Sequence, residues 1–153
     1  MKQFKIILIF FLFSYAVSAQ NDEVDLPKGP AVVTKLVLDA FQKDYPGITN
    51  AKWEYGDGFY EVIFTNNGIG MTVDYDIYGQ CEETETEIKI SELPQLVLDY
   101  LAKNYKSFTI TGASKLVTKN YDVAYVAEIG KKGKFWDITF SSEGKFLQEE
   151  EAD

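Results

Sequence analysis

The segment that decides the fold is Tyr60-Glu61-Val62-Ile63-Phe64-Thr65-Asn66-Asn67-Gly68-Ile69-Gly70-Met71-Thr72-Val73-Asp74-Tyr75. An Asn-Gly pair between two alternating apolar runs marks a two-residue hairpin turn. With Asn67-Gly68 at the turn, Phe64 faces Met71, Val62 faces Val73 and Tyr60 faces Tyr75. All six then lie on one side of the sheet, and a one-residue slip would send them to the other. Upstream, Asp57-Gly58 is a second such turn, and it adds Ala51, Trp53 and Tyr55 to the same side. Far downstream, Lys132-Gly133 pairs Ile129 with Trp136, Ala127 with Ile138 and Tyr125 with Phe140. Independent hairpins thus give the same apolar-in result.

Each group of strands follows a helix. Pro30 is read as opening one that runs to about Asp44, with Val33, Val37, Ala40 and Phe41 on one face, and Tyr45-Pro46-Gly47 stops it. Pro94 sits in the first turn of another that ends near Tyr105, with Leu93, Val97, Tyr100 and Leu101 as its stripe. The segments also resemble each other in order. Leu36-Val37-Leu38-Asp39 is identical to Leu96-Val97-Leu98-Asp99, and Tyr45 matches Tyr105. Ile48-Thr49-Asn50-Ala51 matches Ile110-Thr111-Gly112-Ala113. Tyr60, Gly68, Val73, Tyr75 and Gly79 match Tyr125, Gly133, Ile138, Phe140 and Gly144. The expectation is an α+β tandem repeat, each copy a helix packed on one face of a roughly four-stranded antiparallel meander. The boundaries are residues 1–19 for a signal peptide, 20–29 for a loose lead-in, 30–88 and 89–148 for the two copies, and 149–153 for a frayed acidic tail.

Tyr45-Pro46-Gly47-Ile48, Ala51-Lys52-Trp53, Tyr60-Glu61-Val62-Ile63-Phe64, Asn67-Gly68 and Val73-Asp74-Tyr75-Asp76 leading to Gly79 resemble the secreted PepSY-like proteins described as β-lactamase-inhibitor-like (BLIP-like). The resemblance covers nearly the whole chain after the signal, as two copies. It implies a fold with no known catalytic activity and, through the family label, inhibition of a secreted or periplasmic enzyme by a sheet face. The second copy departs from the pattern: Lys115 stands where Trp53 does, and Lys106-Ser107 replaces Pro46-Gly47.

Composition removes most catalytic chemistries. The 153 residues contain no histidine, one cysteine and, among 15 basic residues, no arginine. Histidine-based triads, imidazole metal sites, an internal disulfide and a thiolate zinc cage are therefore ruled out. A carboxylate-pair hydrolase needs two acids flanking a cleft, and no such pocket is evident in the sequence. No catalytic residue and no cofactor is expected, and the chain is read as a non-enzyme.

Lys2 and Lys5, the apolar run from Ile6 to Phe13, and Val17-Ser18-Ala19 form a signal-peptide pattern with a cut after Ala19. The run is shorter than the ~20 residues a spanning helix needs, so no stable membrane insertion is expected after cleavage. The location expected is periplasmic or secreted. Removing residues 1–19 leaves 13 lysines against 24 acids, a formal charge of −11. That balance disfavours nucleic acid and anionic lipid and favours a protein partner with a basic or mixed face.

The side of the strands away from the helices carries the functional expectation. It presents Phe59, Glu61, Ile63, Thr72 and Asp74 in one half, and Val126, Glu128, Phe135, Asp137 and Thr139 in the other. Glu61 opposes Asp74 and Glu128 opposes Asp137, like charges that cost a few tenths of a kcal/mol or more. Aromatics mixed with acids on an open sheet face fit a partner-binding surface. Trp53 and Trp136 fall on the helix side and are read as core. Asp74, Asp76 and Glu85 imitate the spacing of a calcium loop, but Tyr78 replaces an oxygen ligand and the flanks are strands, so a turn is the better reading. A sensor or structural protein holding calcium or cell-wall material on its acidic surface is the alternative function. Glu83, Glu85 and Glu87 alternate on one face and are read as a charged, aggregation-resistant edge. Cys81 is read as a partly buried, unreactive thiol.

Overall fold

The computed structural model describes residues 29–30 and 32–152. The expected signal peptide and nearly all of the lead-in lie outside the described residues. The chain runs β1 (Gly29–Pro30), α1 (Lys35–Asp44), β2 (Lys52–Gly56), β3 (Phe59–Asn66), β4 (Ile69–Asp76), β5 (Cys81–Glu87), a short 3-10 turn (Ile90–Glu92), α2 (Gln95–Asn104), β6 (Thr109–Thr118), β7 (Val123–Lys131), β8 (Lys134–Ser141) and β9 (Phe146–Ala152). Among the described residues, nine strands form one antiparallel sheet in strict sequence order, β1 to β9. This corrects the expected tandem of two helix-plus-meander copies. The middle of the chain is continuous sheet: β5 pairs with β6 through Glu83–Thr118 to Glu87–Ser114. Glu83, Glu85 and Glu87 are therefore on an interior strand, not on an edge.

The hairpin registers follow the turn chemistry. Phe64 pairs with Met71, Val62 with Val73 and Tyr60 with Tyr75, while Trp53 pairs with Val62 and Ile129 with Trp136. Asp57-Gly58, Asn67-Gly68 and Lys132-Gly133 all have positive φ at both turn residues, from 52° to 84°. That is the type I′ geometry whose twist matches the strands.

Both helices lie on the same side of the sheet. On α1, Val37 and Phe41 are buried against Tyr60, Val62, Phe64, Val73 and Tyr75. On α2, Val97 and Leu101 are buried against Ala113, Ala127, Ile129, Ile138 and Phe140. Trp53 meets Phe41 edge-on with ring centroids 5.3 Å apart, and Trp136 meets Phe108 in the same way at 5.2 Å. Both indoles thus belong to the helix side, as their register requires.

Element ends differ from expectation for local reasons. The first helix begins not at Pro30 but after Thr34, whose Oγ1 accepts from Val37 N at 3.4 Å. This side-chain cap closes the first turn, while Gly29–Pro30 pairs with Glu54–Tyr55 of β2. Residues 149–152, expected to fray, continue β9 along β8, where Asp137 pairs with Glu150. Among the described residues no helix is long and apolar enough to cross a membrane.

Candidate functional site

The helix-free face is not a flat, open surface. Among the ten residues expected to form it, Thr72, Asp74 and Thr139 are 6%, 5% and 2% exposed, and Phe59, Glu61, Ile63, Val126, Glu128, Phe135 and Asp137 are half-buried. Ser114 and Leu116 on the same face are buried as well. Among the described residues no helix covers them. Flat strands ~4.8 Å apart would hold β4 and β8 roughly 19 Å from each other. Yet a single groove of about 620 Å³ is lined by Phe59, Asp74 and Glu83 from one half and by Leu116, Thr139 and Leu147 from the other. The face is therefore concave. Inherent twist and register breaks at Asp74/Tyr75, Ile110/Gly112 and Thr139/Phe140 bend the strands.

Curvature gathers carboxylates. One row crosses four strands, with Glu54 opposite Glu61, Glu61 opposite Asp74 and Asp74 opposite Glu83. A second crosses three, with Glu128 opposite Asp137 and Asp137 opposite Glu150. Glu85 lies between them, opposite Thr72 on one side and Leu116 on the other. Its carboxyl accepts a hydrogen bond from the Ser114 hydroxyl. Its Oε2 is shut off from solvent and has no hydrogen-bond partner among the described residues.

The acids respond as carboxylates losing water should. Burial pushes Glu83 up to about 7. Glu85 is also pushed up to about 7, first by burial and then by Glu83, Asp137 and Glu61, with Ser114 acting in the opposite direction. Asp137 rises to about 6 through burial and the charges of Glu128 and Glu150. Cations near the groove are engaged. Lys119 on its wall pairs with Glu82 at 2.5 Å, and Lys52 pairs with Glu54 at 2.5 Å. Glu128 also receives the hydroxyl of Thr111.

The two phenylalanines do not act as twins. Phe59 lines the groove, whereas Phe135 lies over the bare backbone of Gly130, where an added Cβ would come within 3.0 Å of its ring. Sequence reading missed Glu83, Glu85, Leu116 and Leu147 as parts of the concave face. Alternation along β5 was visible, but the bulge beside Tyr75 adds a residue on β5 and hides which acids oppose Asp74.

The calcium-like triplet does not form a cage. Asp76 Oδ1 accepts from the backbone N–H of Tyr78 at 2.9 Å and of Gln80 at 2.8 Å, and Oδ2 accepts from Gln80 Nε2 at 3.1 Å. Asp76 is thus committed to the β4–β5 turn, and among the described residues no group of three potential ligands could hold a metal ion. Cys81 is half-buried, and burial pushes its thiol up, which suppresses the reactive thiolate.

No curated protein matches the chain. Solved structures share its fold. A BLIP-like protein from Bacteroides fragilis is 28% identical, with a TM-score of 0.63 over 80% of this chain and 89% of its own. A protein from Bacteroides eggerthii described among "putative periplasmic proteins" is 18% identical, with a TM-score of 0.71 over 79% of this chain and 90% of its own. A DUF2874 family protein from Bacteroides uniformis is 20% identical, with a TM-score of 0.68 over 77% and 88%. The family model described as "Putative beta-lactamase-inhibitor-like, PepSY-like" matches residues 58–148, from the turn before β3 into β9, and the chain belongs to this PepSY-like family.

Proposed function

We propose that the chain is a non-catalytic, extracytoplasmic protein-binding module that docks its partner in the concave face of the sheet. The observation that carries this reading is the groove of about 620 Å³, where Phe59, Leu116 and Leu147 stand beside Asp74 and Glu83. A concave site with an apolar floor and a few convergent polar groups is the usual form of a recognition site. Phe59, Glu61, Ile63, Thr72, Asp74, Val126, Glu128, Phe135 and Asp137 make up the face on which the partner rests. Phe59 anchors it, and Thr72 and Asp74 shape the floor. The absence of histidine and arginine from the whole sequence supports a binding rather than a catalytic role. The family description supports an enzyme as partner, with inhibition as the outcome. The periplasmic description of the Bacteroides eggerthii neighbour and the signal pattern of residues 1–19 support an extracytoplasmic site.

The test begins with the purified protein immobilised against an envelope extract. A specifically retained protein is then titrated against two double variants. Phe59→Ala with Leu147→Ala should weaken it by at least tenfold, ~1.4 kcal/mol. Leu36→Ala with Leu96→Ala, exposed positions on the helices, should leave it unchanged. The opposite pattern would move the interface to the helix side and end this reading. Loss of the retained enzyme's activity on saturation would establish inhibition.

A further inference from the structure

Three turns of the sheet are built alike. In each, the amide of the first residue donates to the carbonyl of the fifth, and the amide of the fourth donates back to the carbonyl of the first. The β4–β5 turn does so at 2.9 Å (Asp76 to Gln80) and 3.0 Å (Gly79 to Asp76). The β8–β9 turn does so at 2.9 Å for both bonds (Ser141 to Lys145 and Gly144 to Ser141), and the β6–β7 turn at 3.0 Å (Thr118 to Asp122) and 2.8 Å (Tyr121 to Thr118). In each, a side-chain oxygen of the first residue also accepts from the amide of the fifth. The fourth position is left-handed throughout: φ is 81° at Gly79, 79° at Gly144 and 65° at Tyr121. Glycine suits that conformation, and a bulky side chain is disfavoured in it. The helices α1 and α2 press on Gly79 and Gly144, whereas Tyr121 is 86% exposed. One of three equivalent turns thus holds a tyrosine against the preference of its own backbone. Among the described residues neither its ring nor its hydroxyl has a partner to offset that. Strain kept without a gain in folding points to recognition.

The placement of the turn agrees. Tyr60 and Tyr125 match between the two halves, but Tyr60 pairs with Tyr55 and encloses residues 56–59, whereas Tyr125 pairs with Lys115 and encloses residues 116–124. The β6–β7 hairpin is therefore the longer of the two. Its tip is fastened: the Lys119 amide donates to the Glu82 carbonyl at 2.7 Å, and the Lys119 ammonium meets the Glu82 carboxylate at 2.5 Å. Lys119, Asn120 and Asp122, on either side of Tyr121, line the groove of about 620 Å³. A tyrosine held at the rim of a groove offers a large amphipathic contact at little cost in entropy.

We propose that Tyr121 is a second anchor for the partner protein. Its ring enters an apolar cleft on the partner, its hydroxyl meets an acceptor there, and the adjoining surface of the partner lies in the groove against Leu116 and Leu147. This inference rests on the docking reading above and adds a recognition residue to that same site. An aromatic ring can also stack on a sugar, yet the apolar wall of Leu116 and Leu147 beside it suits protein side chains better than a glycan.

A library of synthetic single-domain antibodies, whose loops can form clefts, tests this before any natural partner has been identified. It is selected on protein purified from cells expressing the full chain, and each enriched clone is mapped by the amide resonances it shifts. Independent clones should converge on residues 118–123 and the groove. They should bind Tyr121→Ala at least tenfold more weakly. They should bind Tyr78→Ala, which alters a tyrosine 69% exposed on the β4–β5 turn, with unchanged affinity. Tyr121→Gly should lose binding as well, yet melt higher than the unaltered protein, because glycine relieves the left-handed backbone. A Tyr121→Gly variant that melts lower would show that the tyrosine serves the fold and would overturn the inference. Clones that fill the groove and ignore Tyr121→Ala would overturn the inference and leave the docking reading intact. Clones confined to the helix side, or no enrichment at all, would overturn it too, and only binding elsewhere would also count against the docking reading. Shifts at residues 118–123 with a soluble peptidoglycan digest, but with no clone, would reassign Tyr121 to a glycan and overturn the protein cleft.

Discussion

At the scale of single residues, the turns show how closely conformation and sequence agree. Lys132 occupies the first position of a type I′ turn at φ 53°, where its counterparts are Asp57 and Asn67. A left-handed conformation costs an ordinary L-residue roughly 1–2 kcal/mol, and asparagine much less. Lys132→Asn should therefore stabilise the protein by about 0.5–1 kcal/mol in urea unfolding, with the register of β7 and β8 unchanged. A neutral or destabilising result would mean that the lysine has an offsetting interaction. Trp53 tests the opposite quality, packing. It is half-buried and meets Phe41 edge-on, so Trp53→Ala should cost ~2–4 kcal/mol, somewhat less than a fully buried indole. Stability near that of the unaltered protein would place the indole outside the core. Residues of this kind were legible in the sequence because their constraints are local: an Asn-Gly or Lys-Gly pair sets a register within a few positions, and alternation then assigns each side chain to a face.

Elements are joined by contacts that sequence patterns do not announce. The turns after β4 and β8 press glycine backbone against the helices. At Gly79, φ 81°, an added Cβ would lie 2.9 Å from the Leu36 carbonyl oxygen. At Gly144, φ 79°, it would lie 2.8 Å from Leu96 Cβ. Gly58 has almost the same φ, 84°, but nothing within 4 Å. The comparison separates backbone strain from close approach. Gly58→Ala should cost about 1 kcal/mol for the left-handed backbone alone. Gly79→Ala should cost roughly 1–3 kcal/mol more, because a backbone carbonyl must move. Equal losses at the two positions in thermal melts would show that α1 yields freely and that its seat on the turn contributes little. The matched glycines were visible in the sequence, but their reason was not, since the contact spans more than forty residues. The start of α1 was misread for a similar cause. Pro30 looks like a helix opener in isolation, yet pairing with β2 claims it and Thr34 supplies the cap.

The whole molecule depends on one junction that no local signal specifies. β5 meets β6 across the 3-10 turn and α2, and no tight turn connects them to fix their register. That pairing converts two groups of strands into one sheet, moves the β5 acids from a supposed edge to the interior, and permits the curl that brings Glu85 toward Asp137. The concavity was thus illegible where the hairpins were plain. Its thermodynamic trace is a pH dependence whose sign can be worked out. Glu83 and Glu85 titrate near 7 in the fold, and Asp137 near 6. Unfolded, they return to about 4. Folding therefore binds protons between these limits. The stability contributed by the protonated acids is full below about pH 4 and is lost as pH rises through about 6–7. Between pH 5 and pH 8 the melting temperature should fall. Glu85→Gln should melt close to the unaltered protein at pH 5, where both side chains are neutral. At pH 8 it should be more stable by roughly 1–3 kcal/mol. A variant less stable than the parent at pH 8 would mean that the Glu85 carboxylate is satisfied within the fold.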